Sequence, residues 1–214
     1  MPSPGTEKGF SLLEAMIALF VIFVLARVAL PNLTSMQKFG RINGDASSVA
    51  GLISEAKLRA SASFSHARVY ADLTAKTYHL EIWNKTSSCW QTDGDKNTCT
   101  VAASPVQNLS SGVSFGYGAI SSAPSNTQPT LSQAPLCYTG YAGQAGNTTT
   151  VANTACIEFN SRGVPSNPVT SGKADATGAF YITNGTAIYG VTVLTSGSVQ
   201  SWTAQTAQSS WQQR

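Results

Sequence analysis

The hydrophobic positions fall into three regimes along the chain. From Phe10 to Leu30 only Ser11, Glu14 and Arg27 are not apolar, and the run from Ala15 to Ala26 is unbroken. Twenty-one helical residues at about 1.5 Å each span roughly 31 Å, the thickness of a bilayer core. After Pro31 the apolar residues narrow to one face. Met36, Phe39, Ile42, Ala46, Val49, Ile53, Ala56 and Ala60 recur at spacings of three and four, which is the stripe of an amphipathic helix. Lys38, Arg41, Asp45, Glu55, Lys57 and Arg59 take the other face, and Gly40, Gly44 and Gly51 weaken the helix. The pattern predicts one long, interrupted helix from Phe10 to about Ser63, whose second half needs a sheet to cover its stripe.

Downstream the period changes to two. "ARVYADL" and "TYHLEIW" alternate and are rich in β-branched and aromatic residues, so they read as a hairpin. "VSFGY", "CIEFN", "GAFYIT", "AIYGVTVL" and "SVQSW" follow, separated by Gly, Ser, Asn and Pro, which are turn formers. A helix followed by mostly antiparallel strands is the α+β pattern. No internal repeat is visible.

Charge sharpens this picture. Charged residues make up 11% of the 214, the formal net charge is +3, and ten of the thirteen Lys and Arg lie at or before Lys96. That weak balance is no footprint of nucleic-acid binding. No Asp, Glu, Lys or Arg occurs between Asn97 and Ile157, where Ser, Thr, Asn, Gln, Gly and Ala dominate. The composition suits an exposed or secreted surface, and the part from about Leu109 to Ala155 reads as long loops. Four cysteines, Cys89, Cys99, Cys137 and Cys156, all follow the apolar segment and form no C-x-x-C pair. Their even number fits two disulfides in an oxidising compartment. Of the three connectivities, Cys89–Cys99 and Cys137–Cys156 each close a short local loop and are favoured. A zinc site is disfavoured, because the spacings are wrong and His66 and His79 lack a C-x-x-C partner.

No enzyme constellation stands out. There is no G-x-S-x-G, Walker loop or H-E-x-x-H, so no catalytic residue and no cofactor is expected. His66 and His79 are given ordinary surface or edge roles. "DGDKN" opens like a calcium loop through Asp93, Asp95 and Asn97. The full loop then needs Gly and Glu where Thr98 and Ser104 stand, so a solvated loop is preferred and no metal is expected.

The question left over is why an apolar segment keeps Glu14. A cleaved secretory signal needs an A-x-A-like site after its apolar core, and Ala15, Ala18, Ala26 and Ala29 provide none. A plain membrane anchor explains the length but not the carboxylate. "KGFSLLEAMIALFVIFVL" resembles the start of type IV prepilins and type II secretion pseudopilins. In that family a short basic leader ends in Gly, Phe follows, and Glu is the fifth residue of the mature chain. Here those are Lys8, Gly9, Phe10 and Glu14.

The resemblance implies that prepilin peptidase cuts between Gly9 and Phe10 and methylates the new amino group of Phe10. It also implies that Glu14 meets that amino group on a neighbouring subunit. A lone carboxylate in an apolar bundle is costly, so pairing makes Glu14 an assembly residue that sets axial register. Arg27, near the outer end of the span, is expected to snorkel. Pro31 matches a proline common in these helices and is expected to kink the turn before it. One signal opposes this orientation: Lys8 alone precedes the span while Lys38 and Arg41 follow it, against the positive-inside rule.

The implied organisation is a leader 1–9, a transmembrane or filament-core helix 10–31, its amphipathic continuation 32–63, a β-rich globular domain 64–202 and a polar tail 203–214 that can fray. "SEAKLRASASFSHARVYADL", "IEFNSRGVP" and "GAFYITNGTAIYGVTVLTSGSVQSW" are similar to the GspH/FimT-type domain. The expectation is a minor pilin of a type IV pilus, resident in the bacterial inner membrane with a periplasmic ectodomain and later on the filament surface. Its partners would be prepilin peptidase and other pilins. The rival is a minor pseudopilin of a type II secretion system. A third reading is a DNA-binding pilin of natural transformation, in which a basic turn near the C-terminus holds DNA. The matching turn here, "TSGSVQSW", has no Lys or Arg to meet phosphate, so nucleic acid is not the expected partner.

Overall fold

Helix α1 runs Leu12–Ala62. A computed structural model describes residues 11–92, 99, 106–146, 149–167, 178–205 and 208–214, and of 28–32 and 208–209 it describes the backbone alone. The chain forms two units, Met1–Phe39 and Gly40–Arg214. In the first unit, α1 begins with Ala15 N–H donating to Ser11 O at 3.1 Å. Its large apolar side chains from Leu12 to Leu25 are exposed, as are Leu33, Met36 and Phe39. Met36 and Phe39 therefore do not join the buried stripe expected of them. Among the described residues no helix is long and apolar enough to cross a membrane.

In the second unit the stripe does its work from Ile42 onward. Ile42, Ala46, Val49, Ile53, Ala56 and Ala60 are buried in one cluster with Val69, Leu80, Ile157, Phe180 and Val191. Small Ala residues on the helix let it lie close against the strands. Asp45, assigned to the solvent face by the pattern, is instead buried. Its carboxylate accepts from Ser110 N–H and Ser110 Oγ–H, each at 2.9 Å, which compensates the loss of water. The helix ends in two bonds, Ser65 N–H to Ala60 O and Phe64 N–H to Ser61 O. These are the paired bonds of a Schellman cap.

Thirteen short and long strands follow in the described residues. The first sheet contains β1 (Ala67–Asp72), β2 (Thr77–Asn84), β3 (Cys89–Thr92), β8 (Thr154–Phe159) and β9 (Pro165–Ser166), ordered β3-β2-β1-β8-β9, with β4 (Gln107–Asn108) added to β2. The second contains β5 (Ser114–Phe115), β10 (Ala179–Thr183), β11 (Ala187–Val193), β12 (Val199–Gln205) and β13 (Gln208–Gln213), ordered β13-β12-β11-β10-β5. A small ribbon joins β6 (Cys137–Tyr138) to β7 (Thr150–Val151). Every pairing is antiparallel. The class is thus α+β, a long N-terminal helix with antiparallel sheets.

Local chemistry sets the turns. Asp72 Oδ1 accepts from Thr74 N–H and Ala75 N–H between β1 and β2, and Asn184 Oδ1 does the same for Thr186 and Ala187 between β10 and β11. Such Asx turns are what Asp and Asn favour. Gly185 supplies the positive φ (87°) that the second turn needs and that glycine adopts freely. The stretch expected to fray as a tail does not. β12 continues to Gln205, and Gln208–Gln213 add an edge strand. Trp211 Nε1 donates to Ser122 O at 2.7 Å, and Arg214 reaches Asn43 and lies 5.3 Å from the Tyr189 ring centre. Aromatic and backbone contacts outweigh the polar composition there.

Candidate functional site

Two places carry chemistry beyond packing. The first is the start of α1. Glu14 sits in its first turn and is exposed. A carboxylate there meets the positive end of the helix dipole, so it favours the helix start whatever else it does. Around it the apolar side chains point outward on all sides, with Leu12 79%, Phe20 70% and Phe23 62% exposed. A contiguous apolar surface of this kind marks a region that something else covers. Arg27 folds back over the Phe23 ring, 5.3 Å from its centre, a cation–π pair one helical turn apart. Gly9 and Phe10, named for cleavage and methylation, lie outside the described residues. Pro31 lies within α1, its side chain also outside them.

The second place was not foreseen. On the first sheet, the face turned away from the helix carries a row of ionisable groups. Register puts Arg68 opposite Glu81 on one side and Glu158 on the other, and Tyr70 opposite His79 and Cys156. Arg68, His79, Glu81 and Glu158 are all buried. Arg68 Nε donates to Glu81 Oε2 at 2.5 Å, and His79 Nε2 lies 3.2 Å from Glu81 Oε1. Glu158 Oε1 accepts at 2.8 Å from His66 Nδ1. The Arg68 guanidinium also lies 4.0 Å from the Trp90 ring centre. Burial alone would raise the Glu81 carboxyl, but Arg68 and then His79 outweigh it and hold its pKa below the usual 4.5. Burial, with Glu81 and Asp72 adding to it, raises the Tyr70 phenol.

These groups are buried because a strap, residues 137–146, lies over them. Arg68 Nη1 donates to Tyr138 O at 2.5 Å, Trp90 Nε1 to Gly140 O at 3.0 Å, and Ala142 N–H to Glu158 Oε1 at 2.8 Å. The Tyr141 ring stands 4.2 Å from His66 and 5.1 Å from Trp83, centre to centre. A disulfide joins Cys137 to Cys156 on β8. The network's donors and acceptors thus end on strap backbone, and they satisfy a loop that forms little ladder of its own.

His79 is accordingly neither a surface nor an edge residue. β2 lies between β3 and β1, and on its outward face His79 and Glu81 are as buried as Tyr78 and Leu80 on its inward one. His79 Nδ1 has no hydrogen-bond partner among the described residues. His66 is partly covered, at the sheet's end of the network. Cys89 is joined to Cys99. Asp93, Asp95 and Asn97, the weak calcium candidates, lie outside the described residues. Among the described residues no group of three His, Cys, Asp or Glu is placed to hold a metal. The paired carboxylates flank an arginine, not an open space, so the geometry favours holding the strap over acid–base work.

No family model matches the chain, and no curated protein matches it. Among solved structures, the minor pseudopilin EpsH from the Type 2 Secretion System of Vibrio cholerae is similar at 12% identity and a TM-score of 0.40, over 74% of this chain and 93% of that one.

Proposed function

We propose that this chain is a structural subunit of a type IV filament, a minor pilin cut by prepilin peptidase after Gly9 and assembled through its N-terminal helix. The observation that carries this is Glu14. It stands four residues after Phe10, in the first turn of a helix whose large apolar side chains from Leu12 to Leu25 are exposed. A membrane before assembly and neighbouring helices after it are the surroundings that such a surface calls for. The new amino group of Phe10 on a neighbour is the countercharge that a carboxylate among apolar helices calls for. On this reading the subunit enters the inner membrane with Gly40–Arg214 in the periplasm, where its disulfides are stable. It is structural rather than enzymatic.

The test is an immunoblot of sheared surface filaments, with a prepilin-peptidase mutant as control. The processed chain should appear in the sheared fraction in small amounts and vanish from it in the mutant. A chain that is processed but stays with the envelope under all shearing would move the assignment to a secretion-system pseudopilin. A chain of unchanged length in the mutant would remove the family reading.

A further inference from the structure

Phe64 stands where the backbone suits a smaller residue. It follows α1 with φ of +49°, a conformation that glycine or asparagine adopts at little cost and a bulky side chain does not. The described non-glycine residues with positive φ are Phe64, Lys76, Ser88, Cys99, Asn126 and Asn153. Phe64 alone among them carries a large apolar side chain. Yet the residue is 75% exposed, so folding recovers little from its ring. We propose that the Phe64 ring is a docking anchor that inserts into an apolar, carboxylate-rimmed surface of a neighbouring filament subunit. The proposal rests on the filament reading and deepens it, by naming a contact that Gly40–Arg214 makes.

An exposed apolar residue needs no explanation by itself. One that is also strained does, because strain of this kind persists where function calls for it. Among the described residues of Gly40–Arg214, the exposed large apolar side chains are Leu58, Phe64, Tyr117 and Leu136. The two most exposed are Phe64 and Leu58, the latter at 67%, and they stand six residues apart at the end of α1. The backbone that carries the ring is held on both sides. Ser65 N–H donates to Ala60 O, Ser65 Oγ–H to Trp83 O, and Lys85 Nζ to Phe64 O. An anchor held in place before binding loses less entropy on binding.

The charges select the partner. Glu55, Lys57 and Arg59 lie in the last two turns of α1, and Lys85 stands at the Phe64 carbonyl. Three cations against one carboxylate make a positive rim, so the complementary face carries Asp or Glu. At its centre, an aromatic anchor calls for an apolar pocket that excludes water. On the filament reading α1 is the element through which subunits meet, and Phe64 extends that contact surface past the helix end.

The experiment places the photocrosslinking residue p-benzoylphenylalanine at position 64 of the full chain in cells. Irradiated, sheared filaments should contain an adduct with another pilin. In parallel, Phe64→Gly and Phe64→Asn, which relieve the strain, should be processed normally and melt no lower than the parent. They should nevertheless enter filaments roughly tenfold less, the usual effect of losing one buried aromatic anchor. Phe64→Tyr, which keeps both ring and strain, should enter as the parent does. Equal or higher stability with lower incorporation is a split that a merely structural residue does not give. If the parent enters filaments and the Gly and Asn variants enter equally, the anchor is overturned while the filament reading stands. If the parent stays out of sheared filaments, the pilus reading fails and the crosslink in the envelope decides. An adduct there with another pilin-like subunit keeps the contact, and an adduct with lipid, or none, overturns it.

Discussion

Arg68 and Glu81 face each other across β1 and β2, Nε to Oε2 at 2.5 Å, with 5% and 6% of their side chains exposed. Such a pair does not by itself make a protein more stable, because taking both charges out of water offsets the attraction. Removing one partner is the damaging change, since it strands the other. Arg68→Met should therefore cost about 3–5 kcal/mol, and it should also free Tyr138 O. The double variant Arg68→Met with Glu81→Leu should cost clearly less than the two single losses added together. Urea unfolding of the four proteins closes the cycle, and strict additivity would deny the coupling.

The same carboxylate fixes a pH dependence. Glu81 has a folded pKa below its ordinary 4.5, so it binds fewer protons folded than unfolded near and below that value. Its contribution is fully present above about pH 4.5 and is lost as pH falls through the folded value. The parent protein should lose stability on the acid side of pH 4.5. Glu81→Gln should be less stable at neutral pH but show a shallower acid limb, because the group that titrates is gone. Parallel acid limbs in the two proteins would mean that Glu81 is not the source.

The Cys137–Cys156 disulfide closes a loop with a sequence separation of 19. Chain-entropy reasoning gives such a closure about 3 kcal/mol. The double Cys→Ser variant should lose about 2–4 kcal/mol, and the loss should be local at first. Hydrogen exchange should quicken at Tyr138–Ala142 before it quickens in β1 and β2, because the strap has few ladder bonds to fall back on. Equal acceleration throughout would show that the strap has no separate opening step.

Sequence pattern carried the helix and the principal strands because those signals are periodic and local. The stripe from Ile42 to Ala60 and the alternation in "ARVYADL" each fit one partner surface. What was not legible depends on register. Arg68, His79, Glu81 and Glu158 are scattered in sequence and become one row only when β1 is known to lie between β2 and β8. Their shared parity with Tyr70, Trp83 and Cys156 was the available signal, but a polar outer face reads as a solvated one until something is seen to cover it. The cover is the charge-free stretch, and no periodicity places a loop. Asp45 was misassigned for a related reason, since its partner Ser110 is 65 residues away. β13 was missed because "QSSWQQ" lacks β-branched residues, and Trp211 alone anchors its apolar side.

Phe64 occupies the position just past the end of α1 with φ of +49°, where the Schellman cap prefers glycine. The residue is 75% exposed, so little burial offsets the strain. Phe64→Gly should therefore raise stability by about 1 kcal/mol, the usual penalty of a side chain in the left-handed region. The carbonyl of residue 64 keeps its bond from Lys85 Nζ, at 2.5 Å, since that is a backbone contact. A Gly variant less stable than the parent by thermal melting would mean that the ring makes a contact in the folded protein worth more than the strain.

Gly190 presents the opposite case, a glycine kept for want of room. A Cβ at that position would lie 2.8 Å from Tyr181 Cε1 and 3.1 Å from Cδ1. A real Cβ essentially never lies as close as the first of these, so the ring must move or the strand must shift. The ring has little freedom. Tyr181 is fully buried, its hydroxyl donates to Gln128 Oε1 at 2.7 Å, and the Gln133 side chain bonds both its N–H and its carbonyl. Gly→Ala in a strand interior would ordinarily favour folding by about 0.5–1 kcal/mol, and overpacking a fixed core costs about 1–3 kcal/mol. The second effect should win, so Gly190→Ala lowers stability by about 1–2 kcal/mol. In a Tyr181→Leu background, where the clashing ring atoms are gone, the same change should cost little or turn stabilising. A full penalty retained in that background would place the strain in the backbone rather than in the meeting of Gly190 with Tyr181.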